Sequence, residues 1–477
     1  MTWRNQLSSL QHTYWQPGVL QLPDNAGNFI VKQRLRVLPG QRLVLGGEWQ
    51  NVAGTSATAI MKYYLHDKRA EVHCKREVQG LALLHAANIP APLVLYCDEK
   101  HHYCLLEYLP QARNLVEVMT QLHHEDLTAV SKVLLQLTDL LAYMHDAGIC
   151  QRDVQPANFV WSRDQWHVVD GGGIVTCRNN QQLLANFALF LVQFGLRYQA
   201  IFQQLYDRYQ QQRPTVKLPS MEFFREDIFN QYHKRRRHFL RKTLRQCTAF
   251  TRDKTLRQLR LYKSDISPSV IANCVENPQH LFNQPAEELH YLKQGNTSTI
   301  VATRIETHDL VIKRYNIKNW RHALTRCLRP SRALNAWRSA LWLENCGIAT
   351  AKPIAMIEQR YGSLRGPAYF VSEYVPGQRL IEYMHDGKLL HQQIIANKVI
   401  ALLRRLYQEQ IVHGDLKASN FIVYQEQPYI VDLDSLYVER DARRLRLAFK
   451  KDIRRFLDNW QNMPHVLALF SALKEMI

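Results

Sequence analysis

The feature that most constrains this chain is a polar pattern that occurs twice. An Asp is followed by an Asn five residues later and by a second Asp seventeen residues after the first. The residues are Asp153, Asn158 and Asp170 in the first copy and Asp415, Asn420 and Asp432 in the second. The offset is constant at 262 residues (415 − 153). A pattern repeated at a fixed offset indicates an internal duplication, which has to be settled before the fold of any one segment.

Three further landmarks precede each loop in the same order. They are a Lys within an apolar strand pattern, a helical run, and a strand that ends near a Glu. The positions are Lys62, 76–92 and Glu107 in the first copy and Lys313, 335–353 and Glu373 in the second. The order predicts, in each copy, a small β-rich lobe that carries the Lys and a helical lobe that carries the polar loop.

A chain of 477 residues is too long for one ordinary hydrophobic core. We therefore predict an α+β fold of two tandem bilobal domains. Their predicted bounds are 1–262 for the first domain, with lobes of 1–108 and 109–262; 263–284 for a linker; and 285–477 for the second domain, with lobes of 285–373 and 374–477. The linker is placed by its polar composition and by Pro268 and Pro278.

Composition indicates a soluble protein of a reducing compartment. The longest apolar run, at 183–196, is too short for a membrane span and carries Asn186 and Gln193, so it predicts a buried helix. Nine cysteines occur without a CxxC pair or a Cys/His cluster. This argues against structural zinc and favours free thiols in a cytosol.

The net charge of +19 is concentrated in three blocks. Residues 233–263 hold twelve Lys/Arg against one acid, 313–338 hold eight against none, and 440–455 hold eight against two. One such block is as often a solvated helix face as a binding surface, but three favour an anionic partner. Nucleic acid is a poor candidate, because the blocks lack regularly interleaved aromatic residues.

The matched residues have the chemical types that phosphoryl transfer requires, namely a cation for the phosphates, oxygen ligands for a metal and a carboxylate for the acceptor hydroxyl. The candidate roles are phosphate binding for Lys62 and Lys313, metal binding for Asn158, Asp170, Asn420 and Asp432, and proton acceptance for Asp153 and Asp415. Glycine-containing turns at 46–54 and 294–299, the second with Gly295, are candidates to cradle phosphate.

The strand Lys, the loop with Asp and Asn, and the later Asp resemble the signatures of the protein-kinase-like superfamily. More narrowly, residues 313–353 together with HGDLKASNF and VDLDS resemble the bacterial lipopolysaccharide kinase family. This resemblance implies ATP and Mg²⁺ as cofactors, with Glu107 and Glu373 counted among the cofactor-binding residues. It also implies a heptose or Kdo hydroxyl of the lipopolysaccharide core as acceptor, and a cytoplasmic enzyme peripheral to the anionic inner membrane.

The copies depart from the superfamily pattern at the partner of the strand Lys. In many relatives a helix Glu pairs with that Lys, and the first copy offers Glu77. The aligned residue of the second copy is Ala336, and Glu344 lies two helical turns away. The first copy is therefore expected to have the better ion pair.

In the catalytic loop the advantage is reversed. The second copy has Lys417, which can contact a γ-phosphate, whereas the first copy has Gln155 there and continues from its metal Asp into Gly171–Gly173. We expect activity in the second copy, while the first is active or a pseudokinase. His413 is expected to be a structural hydrogen-bonding residue. A protein or small-molecule kinase and a nucleotide-free scaffold remain alternatives to the sugar kinase.

Overall fold

A computed structural model describes residues 17–38, 40–65, 69–122, 126–283, 290–316, 330–362 and 364–476. The chain divides into two compact units within α6, between Tyr232 and His233, and residues 195–197 are grouped with the second unit. The predicted boundary at residue 262 differs from this division. The reason is that residues 250–263 form a strand hairpin in the second unit's sheet, which their basic composition did not reveal.

The first unit opens with an antiparallel sheet in the order β1-β2-β3-β4-β6-β5. Its strands are β1 Gly18–Gln21, β2 Asn28–Leu38, β3 Arg42–Gln50, β4 Ser56–Tyr64, β5 Val94–Asp98 and β6 Tyr103–Glu107. In β4, Ala59, Met61 and Tyr63 pack in one apolar core. Because strand side chains alternate between faces, Lys62 is directed to the opposite face.

Helices and short strands make up the rest of the first unit. The helices are α1 Ala70–Ala86, α2 Leu115–Gln121, α3 Leu127–Asp146, α4 Asn180–Leu191, α5 Phe202–Gln212 and α6 Met221–Lys242, the last reaching the second unit. The short strands are β7 Arg113–Asn114, β8 Ile149–Gln151, β9 Phe159–Ser162, β10 Gln165–Val168 and β11 Ile174–Thr176. The predicted buried helix at 183–196 is confirmed as α4, whose Leu184, Phe187 and Phe190 are buried.

Among the described residues, α3 alone is long and apolar enough to cross a membrane by length and composition. Its Val130, Leu134, Leu137 and Leu141 are buried in the first unit. The helix ends before Gly148, whose φ of +68° suits the left-handed conformation that glycine adopts without a steric cost. These features are those of a core helix.

A buried histidine predicts how the first unit responds to acid. His145 is 1% exposed and lies 2.7 Å from the Tyr209 hydroxyl and 3.2 Å from Asn186 Oδ1, and burial lowers its pKa to about 3. The unfolded chain binds this proton near pH 6.5, so the stabilisation is present above that pH and is lost as the pH falls towards 3. We expect the free energy of unfolding to fall by up to about 1.4 kcal/mol per pH unit in this window.

Urea denaturation at a series of pH values measures this effect. His145→Gln should flatten the dependence between pH 6.5 and 4, whereas His385→Gln, at an exposed position, should leave it unchanged. An equal slope in wild type and His145→Gln would contradict the account.

The second unit has an antiparallel sheet in the order β12-β13-β17-β18-β16-β15-β14. Its strands are β12 Phe250–Lys254, β13 Gln258–Lys263, β14 His290–Gln294, β15 Ser298–Ile305, β16 His308–Tyr315, β17 Pro353–Tyr361 and β18 Leu364–Glu373. In β16, Leu310 and Ile312 pack in a core with Ile357 and Tyr369. Val311, Lys313 and Tyr315 alternate with them and face a cleft.

The predicted linker at 263–284 is partly folded. Its described residues form α7 Pro268–Val270, a π-helical turn Ile271–Glu276 and α8 Pro278–Leu281. Val270, Cys274 and Leu281 pack against the sheet core. The polar composition and the two prolines predicted a connector, but these spaced apolar side chains cover the sheet. Both prolines lie in the first turn of a helix, where the missing N–H has no hydrogen-bond partner to lose.

The remaining helices of the second unit are α9 Arg332–Asn345, α10 Leu380–Asp386, α11 Leu389–Gln408, α12 Ala442–Asp458 and α13 Pro464–Leu469. The short strands are β19 Gln378–Arg379, β20 Ile411–Val412, β21 Phe421–Tyr424, β22 Gln427–Ile430 and β23 Tyr437–Val438. The Ser331 side chain caps α9 by accepting the Leu334 N–H.

Trp337 of α9 ties the hairpin of β12 and β13 to the second unit. Its side chain is fully buried, its ring meets Phe250 edge to face at 6.1 Å, and its Nε1 donates to the Thr243 carbonyl at 3.4 Å. Trp337→Ala should destabilise the second unit by about 3–5 kcal/mol, because a large cavity forms in the core. Leu256→Ala, at an 81% exposed position of the same hairpin, should change stability by less than about 0.5 kcal/mol. Similar losses in both variants on urea denaturation would contradict this packing.

Candidate phosphoryl-transfer site

A cleft of about 540 Å³ in the second unit brings the predicted residues of the second copy together. Lys313, Lys417, Asn420 and Asp432 all line it. One wall is apolar and is formed by Ile300, Val311, Phe370, Val375, Ile422 and Val431. A cleft with a largely apolar lining and a few convergent polar groups is typical of a small-molecule site.

Lys313 reaches the cleft from the centre of the sheet. In β16 it pairs with Ile300 of β15 and Phe370 of β18, so its backbone is fixed on both sides. The residue is 8% exposed, and its Nζ lies 4.9 Å from the centre of the Tyr315 ring. The ammonium group is therefore carried by an internal strand of the sheet and lines the cleft.

The loop after β20 is held by Asp452 of α12. The Asp452 carboxylate accepts the N–H groups of His413 and Gly414, each at 2.9 Å, and Gly414 has a φ of +81°. His413 Nε2 lies 3.2 Å from the Val431 carbonyl, and burial lowers the pKa of His413. The expected structural role of His413 is confirmed by these contacts, because a buried neutral ring bridges the loop and the strand that precedes Asp432.

Asp415 projects from this loop between two cations. Its carboxylate accepts from Lys417 Nζ at 3.1 Å and from Arg455 Nη1 of α12 at 2.6 Å. Asn420 Nδ2 donates to the Asp415 carbonyl at 2.9 Å, which fixes the spacing of five residues that the sequence shows. Lys417, Asn420 and Asp415 are thus adjacent, as the predicted loop requires.

Asp432 lies directly opposite the Lys. It has left-handed backbone angles, φ 64° and ψ 55°, and its carboxylate forms an ion pair with Lys313. Although burial opposes ionisation, the attraction of Lys313 lowers the pKa of Asp432 to about 2. A carboxylate that stays charged at neutral pH and sits in a strained turn is suited to metal binding.

The first unit holds its Lys differently. Lys62 Nζ lies 2.6 Å from Glu77 of α1, 3.2 Å from the Val169 carbonyl and 3.8 Å from Asp170. Burial by itself lowers the pKa of Lys62, but the attraction of Glu77 and Asp170 raises it overall. The predicted pairing of Glu77 with the strand Lys is confirmed, and this Glu77 carboxylate also accepts the N–H groups of Gly171 and Gly172 at 3.2 and 3.1 Å.

The catalytic loop of the first unit repeats the Asn brace but has Gln155 at the position of Lys417. Asn158 Nδ2 donates to the Asp153 carbonyl at 3.0 Å, as in the second unit. The Asp153 carboxylate accepts from the neutral amide of Gln155 at 2.8 Å, where the second unit has Lys417. The loop of the first unit thus carries a neutral amide where the loop of the second unit carries an ammonium group.

The two glycine-containing stretches that were predicted to cradle phosphate, 46–54 and 294–299, differ in structure. Gly46 and Gly47 lie within β3, and a Cβ on Gly47 would be 2.1 Å from the Ile30 carbonyl of β2. These two glycines therefore permit close strand pairing and lie outside the turn, whereas Asn51 and Gly54 of the same predicted stretch do form the turn between β3 and β4. Gly295 does lie in the β14–β15 turn, where its N–H donates to the Ser298 carbonyl at 3.1 Å.

The two aligned Glu residues also differ in their surroundings. Glu107 pairs with Arg163 at 2.7 Å at the end of β6. Glu373 lines the cleft at the end of β18 and lies 3.4 Å from Lys352. Glu373 thus lines the nucleotide-sized cleft. The Glu107 carboxylate instead forms an ion pair with Arg163, which lies in the turn between β9 and β10.

Sequence reasoning missed Asp452 and Arg455, both on α12 in the third basic block. They lie 37 and 40 residues after Asp415 in sequence, and helical spacing of three places both towards the loop. The available signal was Asp452 itself, an acid within a basic amphipathic helix. The second basic block, 313–338, includes residues 317–329 and therefore lies partly outside the described residues.

Comparison with known proteins agrees with this geometry. Residues 51–188 match the family model for the protein kinase domain, and residues 370–466 match the model for the RIO domain. The two matches lie at different positions, the first within the first unit and the second within the second unit. No lipopolysaccharide kinase family is among the matches.

A curated relative extends the likeness to protein kinases. Over 90 residues the chain is 32% identical to an Aurora kinase of Eremothecium gossypii, a match that covers 19% of this chain and 24% of that protein. The match therefore spans about a quarter of the relative's length.

Proposed function

We propose that this protein is an ATP- and Mg²⁺-dependent phosphotransferase with a hydroxyl acceptor, and that its second unit carries out the transfer. The single observation that carries the proposal is the convergence of Lys313, Lys417, Asn420 and Asp432 on one cleft, with Asp415 beside it and bonded to Lys417 and Asn420. The repeated landmarks further support an origin of the two units by tandem duplication.

The donor set fits a magnesium nucleotide. Asp432 supplies an ionised oxygen ligand, and Asn420 would supply its Oδ1, since its Nδ2 is used in the bond to the Asp415 carbonyl. The apolar wall of Ile300, Phe370 and Ile422 would hold a base. When bound, ATP·Mg²⁺ supplies the γ-phosphoryl group.

The residues of the chain have separate tasks in the transfer. Lys313 binds and orients phosphate oxygens, and Lys417 neutralises charge on the transferred group. Asp415 accepts the hydroxyl proton of the acceptor and aligns the attacking oxygen. Arg455 holds the Asp415 carboxylate at its Oδ1, which leaves the second oxygen near Lys417.

The matches favour a protein Ser/Thr hydroxyl as the acceptor. One family model is that of the protein kinase domain, the other is that of the RIO domain, and the relative is named an Aurora kinase. We therefore rank a protein acceptor above a lipopolysaccharide core sugar.

A core sugar of lipopolysaccharide remains the second candidate because of α12. This helix exposes Arg443, Arg444, Arg446, Lys451, Arg454 and Arg455, and Arg455 contacts Asp415. A basic helix beside the proposed base suits an acceptor that carries phosphate groups. This second candidate also includes a cytoplasmic enzyme that associates with an anionic membrane surface.

An acceptor panel distinguishes the candidates. Purified full-length protein is incubated with radiolabelled ATP and Mg²⁺ and with casein, histone, or lipopolysaccharide carrying an unphosphorylated core. Labelling of a protein substrate that disappears in Asp415→Asn supports the first candidate, and labelling confined to the core sugar supports the second. No Asp415-dependent labelling of any acceptor, together with no thermal stabilisation by ATP·Mg²⁺, would overturn the phosphotransferase proposal.

A further inference from the structure

The second unit lacks the helix Glu that pairs with the strand Lys in the first. Ala336 of α9 is 1% exposed and lines the cleft at the position aligned with Glu77. Glu344, the acid within α9, pairs with Lys263 at 2.9 Å and is thereby excluded as the partner of Lys313. Lys313 is paired with Asp432, the carboxylate proposed to hold the metal, so a second carboxylate is needed to balance the buried ammonium when Asp432 binds the metal.

Asp434, two residues after the proposed metal ligand Asp432, lies close to the Lys313 ammonium group. Its side chain is 3% exposed, and its carboxylate lies 3.7 Å from Lys313 Nζ and forms an ion pair with Arg332 of α9. The Asp434 carbonyl accepts from Asn335 Nδ2 of the same helix at 2.7 Å. The helix is thus joined to the metal-binding loop through Asp434, although it carries no acid facing Lys313.

In the first unit, the helix position of Glu77 and the loop position that corresponds to Asp434 lie next to each other. Gly172 is the residue that corresponds to Asp434 (434 − 262). A Cβ built on Gly172 would lie 3.3 Å from Glu77 Oε2 and 3.7 Å from Asp170 Oδ1. A side chain at this loop position therefore points at the site that the helix carboxylate occupies. One unit combines Glu on the helix with Gly on the loop, and the other combines Ala on the helix with Asp on the loop.

From this reciprocal exchange we infer that Asp434 is the positioning residue of the second unit, which replaces the helix Glu as the carboxylate that orients Lys313. The inference rests on the proposed function for its catalytic consequence, but its structural part concerns the nucleotide-free protein. Arg332 belongs to the same device, since it balances the second charge of the Asp432 and Asp434 pair and anchors α9.

A double-variant cycle tests the exchange. Asp434→Ala should raise KM for ATP by about 10-fold or more, because Lys313 loses its orientation, and should lower the melting temperature of the nucleotide-free protein. Ala336→Glu alone should also be unfavourable, because it adds a second carboxylate beside Asp434. In Ala336→Glu/Asp434→Ala the helix carboxylate is restored, so the melting temperature and KM should return most of the way to wild type. Glu382→Ala, at an exposed position, serves as the neutral control.

The corresponding exchange can also be tested in the first unit, at Glu77 and Gly172, in case the variants of the second unit fail to fold. Glu77→Ala should lower the melting temperature, and adding Gly172→Asp should restore part of it, because Gly172 is not in the left-handed region and tolerates a side chain.

Each outcome decides the inference. A neutral Asp434→Ala, or a loss that Ala336→Glu does not relieve in the second unit, would overturn it. Rescue of Asp434→Ala by raised Mg²⁺ instead would show a metal ligand and would also overturn it. If wild type neither binds nor transfers from ATP·Mg²⁺, the proposed function fails, and the melting temperatures of the nucleotide-free cycle still decide the exchange.

Discussion

Asp415→Asn is expected to reduce phosphoryl transfer by about 10²- to 10⁴-fold, the contribution that a well-placed general base usually makes. The physical reason is that an amide cannot accept the acceptor proton, although it keeps the shape of the side chain. Initial rates of label transfer from ATP measure the effect. ATP affinity should change little, because Asp415 is not among the residues that line the nucleotide-sized cleft.

The matched control is Asp153→Asn in the first unit. Asp153 occupies the same loop position but is bonded to Gln155 and lacks the lysine of the second unit. We expect this variant to retain most of the transfer rate. A larger loss in Asp153→Asn than in Asp415→Asn would assign catalysis to the first unit and would contradict the account.

Asp432→Asn is expected to remove the stabilisation that ATP·Mg²⁺ gives to the second unit. A nucleotide at 100 times its Kd stabilises the folded state by about 2.7 kcal/mol. The variant should gain almost none of this, since its amide keeps one oxygen but loses the charge that holds the metal. Thermal denaturation with and without ATP and Mg²⁺ measures the difference.

Two controls make this result specific. Asp170→Asn changes the corresponding residue of the first unit, so the ligand-induced stabilisation of the second unit should persist. ATP with a chelator should stabilise wild type and Asp432→Asn to the same small extent. Full stabilisation of Asp432→Asn by ATP·Mg²⁺ would show that the metal is held elsewhere.

The site was predictable from sequence because its residues are locally spaced. Asp415 and Asn420 are joined by one hydrogen bond across five residues, and that bond requires the spacing. Lys313 stands out as a charge within an apolar strand, where only an unusual partner makes burial tolerable. Both signals occur in the same order in each copy, at offsets of 262 residues for the loop (415 − 153) and 251 residues for the Lys (313 − 62), and this repetition makes each more informative than it is alone.

Other parts were not predictable because they depend on distant contacts. Asp452 holds the catalytic loop from a helix that begins 27 residues after Asp415, and no local spacing connects them. The hairpin at 250–263 is built from basic residues, and its assignment to the second unit depends on pairing with β17 almost a hundred residues later. Gly47 looked like part of a phosphate turn, but it is required by the close approach of two strands.

We expect the second unit to gather Lys313, Asn420 and Asp432 around the phosphates of a magnesium nucleotide. A crystal structure of the full chain with Mg²⁺ and a non-hydrolysable ATP analogue tests it most directly. The account predicts the nucleotide in the second unit's cleft, its phosphates at Lys313 and the metal between Asn420 and Asp432. A nucleotide bound only in the first unit, or a metal away from Asp432, would contradict the account.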